Sequence, residues 1–214
     1  MGREANPSIL HIDGLEIELS SDLSHLSEKL SKKALIEFCR LVEMAQENPH
    51  SAFDDVLSFK TRHPHLPEAD NLLTYLHLIK KEVALAEKLI EESYAKHPNY
   101  LFAQINYADQ SLRKKQYHKV KEIFPYFDLQ KLFPKRKKFH VSEYRGFMTL
   151  FSHYFLEQNQ LEMAMIYYKN AHLADSSHPS VVLLEKKIRK KKFSHFLTGK
   201  IFLKKCRQVL ARIS

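Results

Sequence analysis

Residues 156–179 read LEQNQLEMAMIYYKNAHLADSSHP. This stretch places Ala164, Tyr168 and Ala171 on one face of a predicted helix, between an Asn-centred turn and a proline. Small and aromatic residues at spacings of four and three indicate a second helix packed so closely that only alanine fits at the crossing. Because one helix pair cannot bury its own apolar face, the pattern should recur along the chain.

The pattern does recur upstream, with a period of 34 residues. Ala52 and Ala86 are 34 positions apart, as are Pro64 and Pro98, and Val120 lies a further 34 residues beyond Ala86. A larger residue follows the small one by four positions each time: Val56, Ile90 and Phe124. A fixed period of this length favours an array of stacked units over a generic helical bundle with coincidental spacing.

A 34-residue unit with a turn, a small residue, a large residue four positions later and a closing proline resembles the tetratricopeptide repeat (TPR). The resemblance implies an all-α fold, a right-handed α-solenoid of antiparallel helix pairs, here followed by a basic C-terminal helix. In such a unit alanine or serine lets the two backbones approach, and Tyr or Phe fills the gap to the following unit.

The phase of the repeat divides the chain into three segments. Residues 1–32 form an N-terminal segment with the start of the first helix, residues 33–178 hold the TPR-like repeats, and residues 179–214 hold a capping helix and a basic amphipathic tail. The four degenerate repeats cover residues 33–66, 67–100, 101–134 and 145–178. The last is displaced by an insertion, KRKKFHVSEY (135–144). Pro125 should cut the second helix of the third repeat short, because proline lacks a backbone donor.

The N-terminal stretch HIDGLEIELSS, residues 11–21, has partly alternating apolar residues around Gly14. Two interpretations stay open for it: a short extended segment packed on the first helices, or a loose one.

Composition narrows the class of protein. With 214 residues, 44% of them hydrophobic and only four glycines, the chain is expected to be globular and helical. Cys39 and Cys206 lie in helical patterns and are expected to be reduced thiols. The N-terminus lacks the apolar core of a secretory signal, and no apolar run is long enough to span a bilayer. We therefore expect a cytoplasmic location, peripheral to a membrane if the tail docks there.

The sequence carries none of the common motifs for catalysis or cofactor binding. No glycine-rich phosphate loop and no nucleophile elbow is present. The histidine pairs His63 with His65 and His172 with His178 lack the helical spacing and cysteine partners of a zinc site. We expect no catalytic residue, no metal and no cofactor, and hence a protein that is not an enzyme.

The formal net charge of +9 is concentrated at one end of the chain. Residues 186–214 carry eleven Lys or Arg and no Asp or Glu, whereas the first 185 residues carry 23 basic and 25 acidic side chains. The basic residues singled out in this tail are Lys190, Lys191, Lys192, Lys200, Lys204, Lys205, Arg207 and Arg212. Their interleaving with apolar residues predicts an amphipathic cation.

The TPR resemblance implies that the first helices of successive repeats line a concave groove, which binds an extended peptide or a helix. Projecting the repeat phase gives these groove candidates: Phe38, Leu41, Asn71, Tyr75, Leu78, Asn106, Asp109, Arg113, Thr149 and His153. Glu37 and Leu41 stand where the family's clamp for chaperone C-terminal carboxylates has Lys and Asn, which disfavours that ligand.

Three functions fit these features. The favoured one is a non-enzymatic adaptor that binds a protein or peptide in the groove. A second is association with an anionic membrane surface through residues 193–214, or with nucleic acid, which is less favoured because no folded reading module is apparent. The equally weighted alternative for the tail is that its apolar face packs along the last repeat. The third function is that of a bacterial secretion-type chaperone.

Overall fold

The computed structural model describes residues 9–19 and 23–193 of the chain. Its contacts divide into two compact units, which we describe separately. The repeat unit comprises Leu19–Tyr126, and the sheet unit comprises Met1–Glu18 together with Phe127–Ser214. In both units the described residues are mainly helical, which confirms the predicted all-α class.

In the repeat unit, helices follow one another with short connections. A 3₁₀ turn at Ser24–Glu28 precedes α1 (Lys32–Glu47), α2 (Pro49–Arg62), α3 (Pro67–Ile79), α4 (Val83–Lys96), α5 (Leu101–Arg113) and α6 (Tyr117–Ile123). The Ser31 hydroxyl caps α1 by accepting from the Ala34 amide at 3.3 Å. Pro49 and Pro67 occupy first helical positions, where a missing N–H costs nothing. Helix α6 ends two residues before Pro125, as the sequence predicted.

The turns of the hairpins α3–α4 and α5–α6 share one backbone geometry, which recurs at Asn159 in the sheet unit. Lys81 and Lys115 have positive φ angles of 61° and 59°, and Asn159 in the sheet unit has a φ of 57°. The next amide donates to the carbonyl five residues back in each turn: Glu82 to His77 at 2.9 Å, Gln116 to Ser111 at 2.8 Å and Gln160 to Phe155 at 2.9 Å. This is the long hydrogen bond of a Schellman helix end. The period in the sequence is therefore also a period in backbone conformation.

The packing of the repeat unit is that of tandem helical hairpins. Each helix contacts the next, and short turns make neighbouring helices antiparallel. The first helices of successive hairpins, α1, α3 and α5, also contact one another in order. Ala52 and Ala86 are fully buried where the helices of a pair approach. This arrangement is TPR-like.

The sheet unit combines three short strands with further helices. Its elements are β1 (Ile9–Ile12), β2 (Leu15–Glu18), α7 (Leu129–Leu132), β3 (Lys138–His140), α8 (Val141–Glu157), α9 (Leu161–Asp175) and α10, which is helical over residues 179–193. Strands β1 and β2 form an antiparallel hairpin, and β2 pairs in parallel with β3. The hairpin turn uses Asp13 and Gly14, both with positive φ.

The sequence did not predict this sheet. The N-terminal stretch was expected either to pack on the first helices or to be loose, and instead it pairs with the insertion at residues 135–144. In the register of the two strands, Ile17 stands beside Phe139, and both side chains are fully buried. The Glu18 carboxylate accepts from Lys138 Nζ at 2.8 Å. The insertion therefore supplies the partner strand of the N-terminal hairpin.

Helices α8 and α9 form a hairpin whose turn and second helix lie within residues 156–179. The Ser152 hydroxyl donates to the Ala164 carbonyl oxygen at 2.7 Å, and both residues are fully buried. The Phe151 ring packs against Phe127 and Tyr167, with centroid distances of 5.0 and 5.7 Å. The small residues set the helix distance, and the aromatic rings fill the space on either side.

Replacing Lys115 by glycine should stabilise the protein, because glycine adopts a positive φ without the steric cost that a side chain carries. We expect the free energy of unfolding to rise by up to about 1 kcal/mol. The control is Lys88→Gly, on the exposed face of α4, which should lower it by about 1 kcal/mol. Urea denaturation of the three proteins measures both changes. Destabilisation by both substitutions would contradict the shared turn geometry.

Candidate functional site: the first-helix surface

Two first helices of the repeat unit present most of the predicted groove candidates side by side. We call this set the first-helix surface: Asn71, Tyr75 and Leu78 on α3, with Asn106, Asp109 and Arg113 on α5. On each helix the residues are three or four positions apart and therefore share one face.

A hydrogen bond between two amides joins the helices of this surface. Asn106 Nδ2 donates to Asn71 Oδ1 at 2.8 Å, and both side chains are half-buried. Because α4 returns the chain, α3 and α5 run in the same direction, and this bond fixes their register. This bond uses one polar group of each amide; the Asn71 amino group is a second donor and the Asn106 carbonyl oxygen a second acceptor. This pair matches the alternating polar groups of a peptide backbone.

An apolar edge lies along α3 beside the amide pair. Tyr75 and Leu78 are 41% and 43% exposed, and Ile79 is 41% exposed. Ile79 was not among the candidates, although it follows Tyr75 by four positions, a spacing that could have identified it. Isolated exposed apolar residues are common on protein surfaces, whereas three on adjacent turns of one helix form a patch.

Charged residues border the surface at its α5 side. Arg113 Nε donates to the Asp109 carboxylate at 3.1 Å and approaches Glu87 on α4 at 4.0 Å. Lys114 Nζ lies 2.9 Å from Glu87, and its hydrogen bond to that carboxylate raises the pKa of Lys114. Exposed ion pairs of this kind add little stability. Their effect on a partner would be on its orientation and rate of association.

The candidates of the first repeat, Phe38 and Leu41, are core residues, and their assignment to a groove is corrected. They are 2% and 1% exposed. Phe38 stacks on Phe59 of α2 with ring centroids 5.2 Å apart. The 3₁₀ turn at Ser24–Glu28 packs on α1, and its Leu26 belongs to the same buried cluster. The 3₁₀ turn therefore covers the face of α1 that the repeat phase had left open.

A salt bridge ties this covering segment to the next hairpin. Lys29 Nζ lies 3.1 Å from the Glu68 carboxylate in the first turn of α3. The Glu68 side chain is only 12% exposed. Consequently the open part of the first-helix surface is formed by α3 and α5.

The remaining groove candidates, Thr149 and His153, lie on α8 in the sheet unit. Thr149 is buried, and its hydroxyl donates to the Arg145 carbonyl oxygen at 2.9 Å within its own helix. Its side chain is not accessible to a ligand, so the prediction that Thr149 lines the groove is wrong. His153 is half-buried; burial, with the positive charge of Lys187 adding to it and Glu157 opposing it, lowers the pKa of His153 to about 4.

The basic tail is described in part. Lys190, Lys191 and Lys192 lie on α10, where Lys190 and Lys192 are exposed and Lys191 is half-buried. The other predicted tail residues lie outside the described residues: Lys200, Lys204, Lys205, Arg207 and Arg212.

Two further findings concern residues 9–19 and 23–193. No group of three His, Cys, Asp or Glu side chains is arranged there to hold a metal ion. None of the helices in these ranges combines the length and the apolar character needed to cross a membrane.

Comparisons with known proteins do not assign the chain to a family. No protein-family model matches the chain, and no curated protein matches it. Among solved structures, the chain is similar to the MamA RS-1 ArsTM double mutant, with 15% sequence identity and a TM-score of 0.43. That match covers 77% of this chain and 97% of the other.

Truncating Phe38 should cost much more stability than truncating Tyr75, because Phe38 lies in the core and Tyr75 on the surface. Phe38→Ala should lower the free energy of unfolding by about 3–5 kcal/mol, because it leaves a cavity against Phe59. Tyr75→Ala should change it by less than about 1 kcal/mol, because its ring is substantially exposed. Guanidinium denaturation of both variants tests the assignment. Equal losses would contradict it.

The lowered pKa of His153 predicts acid sensitivity. The ordinary histidine pKa is 6.5, so the folded protein binds this proton less readily than the unfolded chain does. The resulting stability is present above pH 6.5 and is lost as the pH falls from there towards 4. Between pH 7 and pH 4.5 the free energy of unfolding should fall more for the wild type than for His153→Gln. An identical decrease in both proteins would contradict the lowered pKa.

Proposed function

We propose that the chain is a non-enzymatic protein-binding module and that its first-helix surface binds an extended peptide or a helix of a partner protein. The observation that supports this most directly is the coupled amide pair, Asn71 with Asn106, next to the exposed apolar edge of α3. Backbone-binding groups beside apolar anchor positions are what a peptide site requires. As part of the same proposal we keep the division into four repeats within residues 33–178 and the cytoplasmic location.

The binding mode follows from the chemistry of these side chains. The two amides bond to the ligand backbone, one as donor and one as acceptor. Tyr75, with Leu78 and Ile79 beside it, buries an apolar side chain of the ligand, since a tyrosine ring supplies a large contact area with little loss of conformational freedom. The ion pair of Asp109 and Arg113 lies at the border, where it orients a ligand of complementary charge.

Binding of a ligand's C-terminal carboxylate at α1 is disfavoured. Glu37 is held by Arg62, whose Nη1 donates to it at 3.1 Å, and this hydrogen bond lowers the pKa of Glu37. The position thus carries a paired carboxylate, where a carboxylate clamp needs a cation. A partner that binds through internal residues of its chain fits the first-helix surface better.

Binding should depend on the surface and not on exposed aromatic area in general. The double variant Tyr75→Ala with Asn106→Ala should reduce capture of partners from a native lysate at least about tenfold, as expected for one lost anchor and one lost hydrogen-bonding group. The matched control is Tyr126→Ala with Asn99→Ala, both exposed and outside the first helices. Captured proteins are quantified by mass spectrometry against the wild type.

A photo-crosslinking residue at position 75, compared with one at position 126, locates the contact. Adducts formed at position 75 alone would support the proposal. Unchanged capture by the Tyr75 and Asn106 variant, with adducts equal at both positions, would show that partners bind elsewhere.

A further inference from the structure

Helix α10 has two opposed faces. Its buried face comprises Val181, Leu184 and Ile188, which are at most 3% exposed. Leu183, Lys186, Lys190 and Phe193 lie on the opposite side at 100° per residue, and we call them the outward face. Leu183 and Phe193 are 57% and 64% exposed, and both lysines are exposed. Apolar residues thus stand at the two ends of this face, with cations between them.

The charge around the outward face is strongly positive. Lys187 and Arg189 flank it and are also exposed. Within residues 179–193 the acidic residue is Glu185, and its carboxylate is already paired with Arg189. Five more Lys or Arg, and no Asp or Glu, follow in residues 194–214. Within residues 179–193, helix α10 therefore carries cations in excess of the carboxylate that could neutralise them.

We propose that the outward face of α10 docks on an anionic lipid surface. Lysine ammonium groups at the centre of the face meet lipid phosphates, and their alkyl stems lie along the interface. Leu183 and Phe193 are ten residues apart, about 15 Å along the helix axis, so both enter the boundary of headgroups and acyl chains when the helix lies flat. This role is independent of the first-helix surface, which belongs to the repeat unit.

Lipid explains the outward face better than nucleic acid does. A phosphate backbone would use the lysines but would gain nothing from an exposed leucine, because leucine does not stack on bases. A membrane interface uses both kinds of residue together, since apolar burial and charge attraction add there. Binding by α10 should consequently require anionic lipid and also the two apolar residues.

Cosedimentation of the full chain with vesicles tests the proposal. Vesicles of phosphatidylcholine with 30% phosphatidylserine are compared with phosphatidylcholine alone, at about 0.1 M and 0.5 M salt. Lys186→Glu with Lys190→Glu removes the central cations, and Leu183→Ser with Phe193→Ser removes the apolar ends. Lys33→Glu with Lys88→Glu, both exposed, changes the net charge equally elsewhere and is the matched control. Circular dichroism melting verifies that each variant is folded.

We expect the wild type and the control to pellet with the anionic vesicles at low salt, and both α10 variants to lose at least about tenfold in apparent partitioning. Equal pelleting of the Lys186 and Lys190 variant and the control would overturn the proposal. Wild-type pelleting by the Leu183 and Phe193 variant would overturn the insertion of the apolar ends. Absence of vesicle binding, together with retention of single-stranded RNA that depends on Lys186 and Lys190, would assign the face to nucleic acid instead.

Discussion

The whole fold depends on how closely the two helices of each hairpin approach. Ala52, Ala86 and Ala164 are fully buried at these contacts, and Ser152 bonds to the Ala164 carbonyl oxygen across one of them. A larger side chain at any of these positions would push the backbones apart and tilt the hairpin. In the repeat unit the first helices then could not line up, and their alignment is what brings Asn71 within bonding distance of Asn106. The geometry of the candidate site is thus set by small residues that are themselves fully buried.

The helices were predictable because their causes are local. Helix starts, turns and ends repeat with the sequence period, and each depends on residues within one hairpin or its neighbour. Pro125 illustrates this, since α6 ends at Ile123, before the residue that lacks a donor. The face shared by Asn71, Tyr75 and Leu78 was predictable for the same reason, because helical spacing alone places them together.

The errors came from contacts that the period of the repeat does not report. The strand pairing of Ile17 with Phe139 joins residues more than a hundred positions apart, and no periodicity reports such a partner. Likewise, the repeat phase places Phe38 on an open face of α1, but it cannot show that Leu26, from an irregular segment, joins the cluster that buries it. The prediction for Thr149 was wrong for another reason: its side chain is buried, and its hydroxyl donates to a carbonyl oxygen of its own helix.

If the first-helix surface binds a partner as proposed, the covering of α1 limits how much of that partner it contacts. The open surface is two helices wide, and from Asn71 to Ile79 it rises about 12 Å, the length of about four residues of extended chain. So short a motif occurs by chance in many unrelated sequences, and a single copy gains little affinity from it. Discrimination between partners then rests on local concentration, whether through repeated motifs in one ligand or through tethering that keeps ligand and receptor together. A receptor of the proposed kind would exchange its ligands quickly, which suits transient binding better than a permanent complex.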